Sequence, residues 1–126
     1  MDAVFSVPRP RNEPVRDYAP GSPERESLQR RLSELSATAL ELPMTIGGEQ
    51  RPGGGAPIEV VAPHRRHHVL GTTYNATNAD AVAAVAAARE AAPGWRSMAF
   101  ADRAAIFLRA AELLSGPWRD TLNAAT

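Results

Sequence analysis

The sequence contains no cysteine and no lysine, so that all 14 of its basic residues are arginine. Without cysteine there is no disulfide framework, no thiolate metal site and no thiol nucleophile. Without lysine there is no P-loop cation and no Schiff-base amine. Fourteen acidic residues balance the arginines, and the net charge is zero. The chain therefore lacks the basic excess on which nucleic-acid binding depends. No apolar run approaches the roughly 18 residues of a membrane-spanning helix. The N-terminus (MDAVFSVPRPRNEPVR) has no apolar stretch after its charges, as a secretory leader would. These absences predict a soluble, cytoplasmic protein that binds neither nucleic acid nor membrane.

Large apolar side chains are scarce as well. A length of 126 residues suits one small domain. Of the apolar residues, however, 24 are alanine, and leucine, isoleucine, valine and phenylalanine together contribute only another 24. That is close to the level at which burial no longer offsets the entropy of ordering the chain. A thin core follows, and the isolated chain is expected to be only partly folded.

Residues 1–23 carry Pro8, Pro10, Pro14, Pro20 and Pro23. Proline removes backbone donors and biases its predecessor toward extended geometry, which predicts an irregular arm. Phe5, Val7, Val15 and Tyr18 are the residues by which such an arm would dock. Ser22-Pro23-Glu24 then has the order of a helix start: a capping hydroxyl, a proline in the first turn and an acid at the positive end of the dipole. Leu28, Leu32, Leu35 and Ala39 continue it as one apolar stripe, with Glu26 and Arg30 paired on the wet face and an end before Pro43.

The region 44–76 is β-prone. Met44-Thr45-Ile46 runs into Gly47-Gly48, a tight-turn signal, and Gly53-Gly54-Gly55 lies in a loop bounded by Pro52 and Pro57. The runs Ile58-Glu59-Val60-Val61 and Val69 to Tyr74 flank Pro63-His64-Arg65-Arg66-His67-His68. A small antiparallel unit of two or three strands is the expectation, with residues 63–68 as a solvated turn and the glycines as a flexible linker. Beyond it, Thr77 or Asn78 caps an alanine-rich helix over 79–92 that has Asp80 in its first turn and stops at Pro93-Gly94. Asp102 starts another, whose apolar face is Ile106, Phe107, Ala110, Leu113 and Leu114. Gly116 ends it, and Pro117 opens a last helix carrying Trp118 and Leu122. That helix reaches Ala124-Ala125-Thr126 without a terminating signal, which predicts a sequence cut from a longer one.

No constellation among these residues predicts chemistry. His64, His67 and His68 are candidate metal ligands, but Arg65 and Arg66 oppose a nearby cation and adjacent strand residues point to opposite faces. The three consecutive glycines do not have the G-x-G-x-x-G spacing of a dinucleotide loop. Asp102 with Arg103, and Arg109 with Glu112, are helix-surface pairs. No serine sits in a G-x-S-x-G elbow. Trp95 and Trp118 are packing anchors. The prediction is that the chain holds no catalytic, cofactor-binding or metal-binding residue.

Certain stretches nevertheless resemble a known family. Asn12-Glu13-Pro14-Val15, Tyr18 and Gly21-Ser22-Pro23-Glu24-Arg25 are similar to the N-terminal arm of 1-pyrroline-5-carboxylate dehydrogenases, members of the aldehyde dehydrogenase superfamily. Ala101-Asp102-Arg103 and residues 106–117 (IFLRAAELLSGP) are similar to the same enzymes. Ile46-Gly47-Gly48-Glu49, the helix from Asn78 and Trp95 follow in the order used by the superfamily. The resemblance implies an α/β parent several times longer, of which this chain is a mostly helical N-terminal fragment with a small β-hairpin or three-stranded unit. It implies an extended arm over 1–23, wrapping its own subunit or a neighbour, and an incomplete NAD-binding domain over 24–126 whose helices cover a parallel sheet. The implied chemistry is the NAD-dependent oxidation of L-glutamate γ-semialdehyde to L-glutamate in proline catabolism. The nucleophilic cysteine, general-base glutamate, cofactor-contacting lysine and glycine-rich loop of such enzymes belong to later segments, so the fragment is expected to be inactive alone. Its implied partners are the remainder of the dehydrogenase chain, a small-molecule substrate and further copies in a homo-oligomer. The alternative is a non-catalytic helical adaptor or oligomerisation module derived from such an enzyme.

Overall fold

The structure, a computed structural model, describes residue 6 and residues 8–126; the predicted docking residues Phe5 and Val7 lie outside them. Helix α1 (Pro23–Ala37) starts where the sequence places it, with the Ser22 hydroxyl accepting from the Arg25 amide at 3.4 Å. Leu28 and Leu35 are half-buried, and Leu32 is exposed. The helix stops two residues short of Ala39, because Leu40-Glu41-Leu42 leaves as an extended strand. Pro43 disfavours helical geometry at Leu42, and a strand from later in the chain supplies the partner.

Five strands follow: β1 (Leu40–Leu42), β2 (Met44–Ile46), β3 (Glu49–Arg51), β4 (Pro57–Ala62) and β5 (Arg65–Tyr74). Strands β2 and β3 form a hairpin closed by Gly47-Gly48, with φ of 61° and 85°. Positive φ at both turn residues is the primed geometry whose twist matches the flanking strands, and glycine adopts it without a steric cost. The second sheet has the order β1-β5-β4. Strands β4 and β5 are antiparallel across the two-residue turn Pro63-His64, while β1 pairs parallel to β5 from Leu40↔Gly71 to Leu42↔Thr73. The expected antiparallel unit is therefore a mixed sheet beside a separate hairpin. The expected six-residue turn over 63–68 is corrected too, since Arg65 to His68 already belong to β5. Register slips at Val60/Val61 and Val61/Ala62 mark a bulge that bends β4 close to its turn.

Helix α2 (Asn78–Ser97) runs through Pro93-Gly94, where the sequence predicts a stop. Gly94 stays out of the left-handed region that would form a helix C-cap. Pro93 is exposed, so the Arg89 carbonyl that loses its donor can be met by water. Helix α3 (Phe100–Ser115) starts two residues before Asp102, which lies in its first turn. Gly116 ends it by donating its amide to the Glu112 carbonyl at 3.0 Å. Helix α4 (Arg119–Ala125) starts after Trp118, two residues later than a start on Pro117.

The chain divides into two units, one of Glu34–Arg96 and the other of the residues up to Ser33 with Ser97–Thr126. In the first, α2 turns its small residues Ala83 and Ala87 inward, half-buried, and its larger Val82 and Val85 outward at 61% and 58% exposure. A helix that buries one face puts its larger apolar groups on that face; one that is apolar on both sides belongs between two layers. In the second unit, only Leu113 of the predicted α3 face is half-buried, and Phe107 is 67% exposed. Ala62 is the one buried apolar side chain among the described residues. Among the same residues no helix is long and apolar enough to cross a membrane.

Candidate functional site

The densest polar constellation in the Glu34–Arg96 unit centres on Asp80, the one buried charged residue among those described. The sequence puts it there through a reciprocal cap. Thr77 precedes the first residue of α2, and Asp80 is three positions further on. The Asp80 amide donates to the Thr77 hydroxyl oxygen at 3.3 Å, and the Thr77 amide donates back to Asp80 Oδ2 at 2.8 Å. This is a capping box with aspartate in place of the usual glutamate, and it settles the choice between Thr77 and Asn78 in favour of Thr77. The same Oδ2 accepts the Thr77 hydroxyl at 2.7 Å and the Gly54 amide at 3.0 Å. On the other oxygen, Arg51 Nη2 stands 3.3 Å from Oδ1. One carboxylate thus ties the end of β3, the glycine loop and the start of α2 together.

The loop is fastened elsewhere as well. Gly55 donates its amide to the Asn75 carbonyl at 2.9 Å, and Asn75 donates to the Ala56 carbonyl at 3.0 Å. A side chain at Gly53 would run into the Asn75 and Tyr74 carbonyls. The glycines expected to be a flexible linker form a pinned turn, and their absent side chains are what allow two backbones to approach.

Four interactions hold the Asp80 pKa down at about 2, against an ordinary 3.8: the Thr77 amide first, then the Thr77 hydroxyl, the Gly54 amide and the Arg51 charge, with burial opposing them. A carboxylate this acidic stays ionised at neutral pH and takes no part in proton shuttling. Its negative charge also occupies the Gly54 N–H that a phosphate would need. The Gly54 amide thus serves Asp80, which reads as a fastener. Because the pKa is lower in the folded chain, Asp80 stabilises it fully above about pH 4, and that stability is lost as pH falls toward about 2. In the full-length protein we expect Asp80→Asn to remove this acid-side slope and to lower the melting temperature at pH 7 by several degrees. A variant melting curve identical to wild type from pH 7 to pH 3 would refute the assignment.

The other candidates are scattered. His64 lies in the β4–β5 turn and His67 is exposed on β5. His68 is half-buried, and its Nε2 has no hydrogen-bond partner among the described residues. Arg109 and Glu112 form the expected exposed surface pair at 3.0 Å. Trp95 and Trp118, read as packing anchors, are 39% and 53% exposed. Sequence reasoning placed Asp80 in a first turn but missed its reach to Gly54 and Arg51. The T-x-x-D spacing was legible as a capping box; the approach of a loop 26 residues away was not.

Residues 50–123 match the aldehyde dehydrogenase family, and the chain belongs to it. Two curated relatives narrow the similarity. The Delta-1-pyrroline-5-carboxylate dehydrogenase of Agaricus bisporus is 41% identical over 126 residues, covering 98% of this chain and 23% of that protein. The mitochondrial Delta-1-pyrroline-5-carboxylate dehydrogenase of Homo sapiens is 36% identical over 118 residues, covering 91% of this chain and 20% of that protein. A crystal structure of the Delta-pyrroline-5-carboxylate dehydrogenase from Mycobacterium tuberculosis is similar at a TM-score of 0.95 and 54% identity, covering 99% of this chain and 23% of that one. The same Mycobacterium tuberculosis protein has been solved bound with NAD. This chain thus spans less than a quarter of the length of the relatives it matches.

Proposed function

We propose that the chain is the N-terminal part of an NAD-dependent dehydrogenase that oxidises L-glutamate γ-semialdehyde, formed from 1-pyrroline-5-carboxylate, to L-glutamate in proline catabolism. The observation that carries this reading is the 54% identity at a TM-score of 0.95 along 99% of the chain to an enzyme of that name. The match spans 99% of the chain, so it takes in residues before α1 as well as the helices. The overall reaction converts the aldehyde, water and NAD⁺ to the carboxylate, NADH and two protons, with NAD⁺ supplying the hydride acceptor when bound.

The part of residues 1–126 in this reaction is scaffold: an extended arm over 1–23 and, over 24–126, an incomplete NAD-binding domain. Catalytic and cofactor-binding groups are assigned to the rest of the protein, and no catalytic, cofactor-binding or metal-binding role is given to residues 1–126. The outward valines of α2 and the largely exposed apolar face of α3 support this division, since each leaves apolar surface that a further layer would cover. The partners are the remainder of the dehydrogenase chain, the small-molecule substrate and other copies in a homo-oligomer. The proposed location is the cytoplasm; cell fractionation distinguishes it from the mitochondrial setting of the human relative.

The test is the full-length gene product given 1-pyrroline-5-carboxylate and NAD⁺, with NADH formation followed by absorbance. Turnover with this substrate well above that with simple aliphatic aldehydes is expected. No turnover, or turnover indifferent to the carboxylate-bearing substrate, would refute the proposal.

A further inference from the structure

Helix α4 has seven residues, well short of the roughly 12–15 at which an isolated helix becomes stable in water. No side chain caps its N-terminus. Its apolar residues hold it only in part, since Leu122 and the preceding Trp118 are 42% and 53% exposed and only Ala124 is half-buried. What it has instead is a set of polar contacts with the arm and α1, all inside one structural unit. Arg119 Nη1 donates to the Pro14 carbonyl at 2.9 Å, and Asn123 Nδ2 donates to the Tyr18 hydroxyl oxygen at 3.0 Å. Arg16 Nη1 returns the contact at 3.5 Å from Asp120 Oδ1. From α1, the Ser27 hydroxyl donates to Asp120 Oδ2 at 2.6 Å, and Arg31 Nε donates to the Thr121 hydroxyl oxygen at 3.0 Å. All four polar side chains of α4 before its final residues are engaged, two by the arm alone, one by α1 alone and Asp120 by both.

The backbone of the arm carries a matching mark. Tyr18 has φ of 51°, in the left-handed region that bulky residues avoid. Such a conformation persists only where surrounding contacts determine it; those at hand are the hydrogen bond that Asn123 donates to the Tyr18 hydroxyl and the turn in which Ser22 donates to the Ala19 carbonyl. Val15, between the two gripping points, is 93% exposed, so it does not dock as the sequence suggests, whereas Tyr18 is half-buried.

We infer that residues 14–18 are a strap that keeps α4 helical and sets its register on α1. The strap acts within one chain. Pro14 precedes the start of α1 by nine residues, and α1 itself bonds α4, so the segment from Pro14 to Tyr18 has little slack to reach a neighbouring subunit.

Hydrogen exchange on the full-length protein tests this. The probes are the Leu122 and Thr126 amides, bonded to the Trp118 and Leu122 carbonyls at 2.9 and 3.0 Å. The double variant Arg16→Ala/Tyr18→Phe leaves α4 itself unaltered and should speed exchange at both amides about tenfold, with α2 unchanged. A variant lacking residues 1–18 should speed it further. Unchanged protection of α4 in both variants would overturn the inference. So would a loss shared equally by α2 and β5, because a strap on α4 acts on that helix alone.

Discussion

Produced without the rest of the protein, residues 1–126 will give a helical far-UV spectrum but no cooperative thermal transition. The surface area is the reason. The chain exposes 10186 Å² at a mass of 13.5 kDa, whereas a folded monomer of that mass exposes about 6,500 Å². The surplus includes Val82 and Val85 on α2, Ile106 and Phe107 on α3, and Trp118, each of which leaves about half or more of its surface in water and so gains only part of the burial it could. Local hydrogen bonds keep the helices, but side-chain packing is too sparse to make them melt together. We therefore expect weak near-UV ellipticity, binding of a hydrophobic dye and a broad loss of far-UV signal on heating. The same preparation should not oxidise the semialdehyde. A sharp melt with strong near-UV bands would contradict this account of the packing, and turnover would contradict the division of labour.

The second large effect is at Gly71. In the central strand β5 it sits opposite Leu40 of the parallel neighbour. A side chain there would run into the Leu40 carbonyl oxygen and come within 3.3 Å of Leu42 Cδ1. Backbone cannot give way as a side-chain tip can, so Gly71→Val should cost about 3 kcal/mol or more and detach β1. In the full-length protein this reads as a lower melting temperature and faster exchange at the β1 and β5 amides. Gly94→Ala is the control, because a methyl group on that helical glycine meets nothing within 4 Å. It should be neutral or stabilising by up to about 1 kcal/mol. Equal stability of the two variants would show that β1 is not packed against β5 as described.

Local signals were legible where a local cause acts. The cap at Ser22, the Gly47-Gly48 turn, Asp80 in the first turn of α2 and the stop at Gly116 each depend on residues within four positions of one another. Propensity and capping decide such features before any tertiary contact forms. Pro93-Gly94 misled because a breaker is only a bias: an exposed helix can lose one hydrogen bond to water and continue. Strand β1 was invisible for the opposite reason. Leu40-Glu41-Leu42 is too short to announce itself, and it is a strand only because β5, some thirty residues later, offers a parallel edge.

The site followed the same division. Asp80 as a helix-start acid is a matter of spacing, but its service to Gly54 and Arg51 depends on where β3 and the glycine loop return. The strap on α4 joins residues 105 positions apart, beyond the reach of any periodicity. By itself the sequence determined what the side chains of residues 1–126 cannot do: with no cysteine and no lysine they offer no thiolate and no ε-amine nucleophile, whatever the fold. It also determined the helical runs, because alanine and leucine spacing act within a turn or two. Only the tertiary structure decided which apolar faces stay bare, since burial depends on what lies opposite a residue and not on the residue alone.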